Sequence, residues 1–167
     1  YTASITDAQG CQLEASYNVN QPQAVGGNVV LTTPISCQGG SNGAATASGS
    51  GGVGPYTYLW STGATTAVAS NLAASTYTVT ITDKNNCSGI RQITLSNPAG
   101  MNVTTASVTN ASCPGVPNGS ATIAVAGGNS PYTVLWSTGT SGLTINSVTS
   151  GTYECTVTDN KLCTKVA

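Results

Sequence analysis

The chain has 167 residues with four Lys+Arg and five Asp+Glu, so charged residues make up 5%, where about 25% is ordinary for a globular domain. A net charge of −1 with no basic cluster cannot neutralise a run of phosphates, and no apolar stretch approaches the roughly 20 residues that span a bilayer, so neither nucleic acid nor membrane insertion is expected. His is absent, which removes the imidazole as base, zinc ligand or pH switch and leaves an enzyme, a metal or a cofactor without support.

Disorder needs low hydrophobicity with high net charge, whereas 39% of these residues are hydrophobic, so a folded chain is expected. Tyr1, Tyr77 and Tyr153 each open a Tyr-x-x-x-[Ile/Val]-Thr-Asp segment, and the spacing is 76 both times (77 − 1 and 153 − 77). Cys37 and Cys113, Asn42-Gly43 and Asn118-Gly119, and Leu59-Trp60-Ser61-Thr62-Gly63 and Leu135-Trp136-Ser137-Thr138-Gly139 keep the same offset. Such a period marks a tandem-repeat architecture.

In chain order, residues 1–25 read as the C-terminal strands of a truncated repeat. Tyr1 stands where an initiator Met would and opens in mid-strand, so the chain is read as processed or as a window on a longer one. Residues 26–100 read as a complete repeat, with strands predicted over 29–35, 44–50, 56–60, 67–72, 77–83 and 90–95. Tyr77-Thr78-Val79-Thr80-Ile81-Thr82 shows the reason: Tyr77, Val79 and Ile81 share one face and the threonines the other, the period-two signature of a half-buried strand. Residues 101–167 read as a second repeat lacking most of its last strand. Gly, Pro, Asn and Ser clusters supply the turns. Six or seven short strands per repeat around one Trp predict an all-β fold of tandem, immunoglobulin-like antiparallel sandwiches arranged head to tail. Leu72 five residues before Tyr77, and Val148 before Tyr153, have the spacing of a tyrosine corner between strands E and F.

Three strings in order carry a resemblance: Cys37-Gln38-Gly39 with Asn42-Gly43-Ala44-Ala45, Gly52 with Pro55 through Gly63, and Leu72 through Cys87. Residues 113–163 repeat them, with Pro114 to Pro117 and Cys155 as departures. This pattern resembles the SprB-type repeat along essentially the whole chain. The resemblance implies a very large cell-surface or extracellular protein of Bacteroidota, exported by type IX secretion, built of many such repeats and related to gliding-motility adhesins. Its implied partners are neighbouring repeats of the same chain or identical copies in a filament.

Five of the six cysteines fall in register, Cys11, Cys37, Cys87, Cys113 and Cys163, at alternating spacings of 26 and 50. Without His this favours disulfides over metal ligation, and hence an oxidising compartment. Pairing within a repeat would join Cys37 to Cys87 and Cys113 to Cys163. Cys37 lies in the A-B loop and Cys87 at the F-G turn, which sit at opposite ends of such a sandwich. A strand of about seven residues spans roughly 23 Å, well beyond a disulfide's reach of about 7 Å between Cα atoms. Head-to-tail stacking instead brings the A-B loop of one repeat to the F-G turn of the next, which favours Cys37 with Cys163. Cys11, Cys87 and Cys113 then need partners outside the chain, with pairing inside each repeat as the alternative.

Cys155 takes the register of Val79 and reads as a buried thiol. Asp7, Asp83 and Asp159 end strand F and read as turn caps rather than Ca²⁺ ligands, since Ca²⁺ takes six to eight oxygens. Trp60 and Trp136 read as core and Tyr77 and Tyr153 as corners, rather than as sugar platforms. Sequons at Asn86, Asn102, Asn110 and Asn118 read as coincidence in a composition rich in Asn, Ser and Thr. The leading function is a structural repeat of an extracellular filament or surface-adhesin stalk. The second is a module contacting surface glycans through the Gly-rich B-C loop, at Gly52 and Pro55 and at Gly128 and Pro131, together with the F-G turn.

Overall fold

A computed structural model describes residues 1–167 as fourteen strands and no helix. The first two, β1 (Thr2–Thr6) and β2 (Gln12–Ser16), form an isolated antiparallel hairpin. The next six build one sandwich. β3 (Gly26–Thr33), β4 (Gly43–Ser50) and β6 (Val68–Leu72) form one sheet in the order β3-β4-β6, and β5 (Thr57–Trp60), β7 (Ser75–Thr82) and β8 (Ser88–Leu95) form the other in the order β5-β7-β8.

The second sandwich repeats this plan with β9 (Asn102–Thr109), β10 (Gly119–Ala126) and β12 (Thr144–Val148) against β11 (Thr133–Trp136), β13 (Cys155–Thr158) and β14 (Thr164–Val166). Every pairing is antiparallel. In immunoglobulin terms the sheets are A-B-E and C-F-G. Six strands form rather than seven, because residues 61–67 turn directly from β5 into β6 without a strand D. The structure also extends strand A back to Gly26 and ends it at Thr33, leaving Ile35 in the loop beyond. Gly26-Gly27-Asn28 has little strand propensity, and its pairing with Ser48, Gly49 and Ser50 holds it in the sheet.

Alternation decides which side chains go inside. Val79 and Ile81 on β7 are fully buried and the intervening Thr80 only partly so. Ala45, Ala47, Ala69 and Leu72 from one sheet meet Trp60, Val79, Ile81 and Leu95 from the other in a single core. Fully burying a side chain of Leu or Val size contributes about 1.5–3 kcal/mol. The second core is smaller, six buried residues against ten: Ile123 and Ile145 against Val134, Trp136, Cys155 and Val157. Smaller side chains at equivalent positions explain part of the difference. Ala111 replaces Ile35, and Cys155 and Val157 stand where Val79 and Ile81 do.

The corner tyrosines close the turn into strand F, with Tyr77 donating to Ala73 O at 3.1 Å and Tyr153 to Thr149 O at 2.9 Å.

Candidate functional site: the joint between repeats

The loop after β3 is shaped by its own sequence. Asn42 Oδ1 accepts the Ser36 N–H at 3.0 Å, and Cys37 O accepts the Gly40 N–H at 2.9 Å. Gly39 has φ of 76°, where a side chain would be strained, and its N–H donates to Asn97 Oδ1 at 3.0 Å. That last bond ties the A-B loop to the segment leaving β8, so the lower end of the repeat is one unit. The second repeat builds the same loop, with Asn118 Oδ1 accepting the Ser112 N–H at 2.9 Å.

The opposite end is organised by an aspartate. Asp159 Oδ1 accepts the N–H groups of Lys161 at 2.8 Å and Cys163 at 2.9 Å, which folds the β13–β14 turn. Its Oδ2 accepts from Asn129, backbone N–H at 3.0 Å and side chain at 3.1 Å, and so clamps the B-C loop onto that turn. Asp83 does the same for the first repeat, toward Asn85, Cys87 and Val53, each at 2.9 Å. Asp7 caps its turn through Gln9 and Cys11.

The Val53 N–H leads in holding the Asp83 carboxyl below its ordinary value of 3.8, outweighing burial, with Cys87 and Asn85 adding to it. At Asp159 burial is the largest influence and pushes upward. The hydrogen bonds from Asn129, Cys163 and Lys161 together outweigh it, and the carboxyl again lies below 3.8. Carboxylates held by backbone N–H groups in this way stay ionised and structural.

These two ends meet covalently. Cys37 and Cys163 form a disulfide with Cα atoms 5.5 Å apart, joining the A-B loop of one sandwich to the F-G turn of the next. Cys163 Sγ lies 3.5 Å from Ser36 O. A cleft of about 320 Å³ beside the bond is lined by Gln38, Gly100, Gly128, Asp159 and Lys165 among others. Cys11, Cys87 and Cys113 are free and exposed, and Cys155 is free and buried; burial raises the Cys155 thiol above its ordinary value.

Trp60 and Trp136 lie in the two cores, 2% and 4% exposed, with Nε1 donating to Thr66 O and Gly142 O. Gly52 packs under Asp83 and Val25, and Gly128 under Met101 at the joint, where a Cβ on either would come within 2.6 Å of its neighbours. Pro55 and Pro131 follow on the same loops, each after a cis peptide bond. In both repeats a tyrosine hydroxyl fastens the loop: Tyr56 to Gly51 O and Tyr132 to Gly127 O, both at 2.6 Å.

Sequence spacing did not reveal the second oxygen of each aspartate or the Asn97 bond, because both reach across the fold. The recurring Asn42-Gly43 and Asn118-Gly119 pairs were the available signal for the loop lock. Residues 30–65 and 105–141 match the SprB repeat family. No curated protein matches the chain.

Proposed function

Since the chain carries two SprB repeats, a structural family associated with cell-surface proteins, we propose that it is a spacer segment of an extracellular filament or adhesin stalk. Its role there is to set length and resist pulling, with adhesion or gliding as the process it serves. One observation carries this reading: the Cys37–Cys163 bond spans consecutive repeats rather than closing one of them. A bond inside a sandwich stabilises that sandwich. A bond across the joint fixes the orientation of its neighbours as well, which is what a stalk needs. Equal copies that contact only their neighbours build length rather than a unique pocket.

The position of the loops favours the spacer over the glycan-binding reading. In the second repeat the F-G turn is bonded to the preceding repeat, and Gly128 of the B-C loop packs on Met101 beside it. Small-angle scattering tests the reading. The oxidised chain is expected to scatter as one fixed arrangement of two sandwiches, and reduction to broaden the distribution of sizes while each sandwich keeps its circular dichroism. Unchanged scattering on reduction refutes the mechanical role of the bond, and retention of the oxidised chain on a glycan array would favour the binding module instead.

A further inference from the structure

The outward face of the C-F-G sheet carries an aliphatic row that the core does not use. In the first sandwich the register sets Leu59 beside Thr80 and Thr80 beside Ile90. They alternate with the inward Tyr58, Trp60, Val79 and Ile81, so they face solvent. Leu59 is 55% exposed and Ile90 63%. In the second sandwich Leu135, Thr156 and Val166 pair in the same way, each 76 residues on, and Leu135 is 57% exposed.

The opposite sheet does not keep such a row. Val30 and Val68 flank Thr46 on the outer face of β3-β4-β6, but 76 residues on those positions hold Ala106, Thr144 and Thr122. Exposed apolar residues are ordinary when they occur singly. A contiguous aliphatic row kept in both copies of one sheet, and in one copy of the other, points to a contact made by the first.

Around the row the face is rich in hydroxyls. Thr57, Thr82 and Ser88 line up on one side of it, and on the other the Thr76 and Thr94 hydroxyls lie 2.8 Å apart in a hydrogen bond. Glu154, at the register of Thr78, is the one charged side chain at an outward position of either C-F-G sheet.

We propose that this face is the docking surface for a second copy of the chain, laid alongside in antiparallel so that the first sandwich of each copy meets the second sandwich of the other. The period selects that occupant. A partner must offer aliphatic contacts at the spacing of Leu59 and Leu135, and a second copy does so automatically. The face has no aromatic side chain on which a sugar would stack and no basic one to hold a phosphate. Charge selects the direction. Antiparallel pairing is isologous and sets Glu154 against the uncharged face of the first sandwich, whereas parallel pairing sets it against itself. Area requires both sandwiches. Three strands about 4.8 Å apart and up to eight residues long give on the order of 380 Å², about half of the roughly 800 Å² per partner in a standard interface. Two faces add up in this way only when held in one orientation, so this inference rests on reading the joint as fixed by Cys37–Cys163.

Sedimentation of the oxidised chain, with its exposed free thiols alkylated, tests this. A reversible dimer is expected, and small-angle scattering should give it nearly the length of the monomer, since the copies lie side by side. Leu59→Lys and Leu135→Lys should each weaken the dimer at least tenfold, whereas Val30→Lys and Val68→Lys on the opposite sheet should leave it within twofold. All four positions are exposed, so circular dichroism should not change. Thr78→Lys should meet Glu154 of the second copy and tighten the dimer about threefold at low salt, a gain lost at high salt. A chain that stays monomeric, a dimer twice the monomer's length, equal weakening by the valine and leucine variants, or no tightening by Thr78→Lys would overturn the proposal. Opening the bond by Cys37→Ser and Cys163→Ser separates the two readings. A dimer as tight as before, still lost in the leucine variants, supports the face and faults the fixed joint. A monomer whose scattering broadens on reduction faults this inference alone.

Discussion

Replacing Cys37 and Cys163 by serine removes the bond across the joint, and single-molecule pulling from the two termini reads the consequence as a length. With the bond intact, the 126 residues between the cysteines are hidden from the applied force, and only residues 1–36 and 164–167 can be drawn out. At about 3.4 Å per extended residue, less the 5.5 Å that the bond itself spans, the variant should extend about 420 Å further than the oxidised chain. Thermal stability should follow. If one sandwich unfolds while the other holds, the bond closes a loop running from Cys37 to Asn102 or from Leu95 to Cys163, in either case roughly 65–70 residues, for which the chain-entropy relation gives about 4 kcal/mol. For a domain of this size that is a fall in Tm of roughly 15–30 °C. Equal extension of the oxidised chain and the variant would refute the argument, because it would mean that the bond does not lie in the path of the force.

The aspartate clamps predict an acid limit. Asp83 and Asp159 lie below 3.8 in the folded chain, so their contribution is present above about pH 4 and lost as pH falls through the lowered folded values. Urea midpoints should therefore drop between about pH 4 and pH 2, less steeply in Asp83→Asn; identical slopes would remove the clamp as the cause. Cys155→Val restores the residue found at position 79 and should change stability by less than about 1.5 kcal/mol, while in the parent chain a maleimide should label Cys11, Cys87 and Cys113 at once and Cys155 only on unfolding. Tyr77→Phe and Tyr153→Phe should each cost about 0.5–1.5 kcal/mol by urea titration, and no loss would show that the corner bonds are idle.

The sandwich was legible in the sequence where one face of a strand is buried, because Tyr77, Val79 and Ile81 must then alternate with polar residues. It was less legible where strands hold few apolar side chains: Gly26–Asn28 and Gly43 are in strands because of what they pair with. The disulfide could be reasoned from loop positions, since strand length alone separates Cys37 from Cys87.

The two numbers in the cysteine pattern have a further mechanical meaning in any array that keeps this register. Each bond reaches from the A-B loop of one repeat to the F-G turn of the next, so a bond at Cys113 begins inside the span from Cys37 to Cys163, and successive spans overlap between those two later cysteines. Each F-G cysteine is followed by the next A-B cysteine at the shorter of the two spacings, as Cys11 is by Cys37. Following bonds and these short links, the covalent path advances two repeats for one short link and one disulfide. That is about 94 Å, or about 47 Å per repeat, against about 260 Å for a whole repeat without bonds. A strand of about eight residues already spans about 27 Å, so the bridged path leaves about 20 Å per repeat to release, against about 230 Å without the bonds. A concatemer of residues 26–101 should accordingly stop extending at about 47 Å per repeat when oxidised and at about 260 Å when reduced. An oxidised array that stretches to the longer limit would show that the bonds do not overlap, and that the spacings of 26 and 50 serve the individual sandwich rather than the stalk.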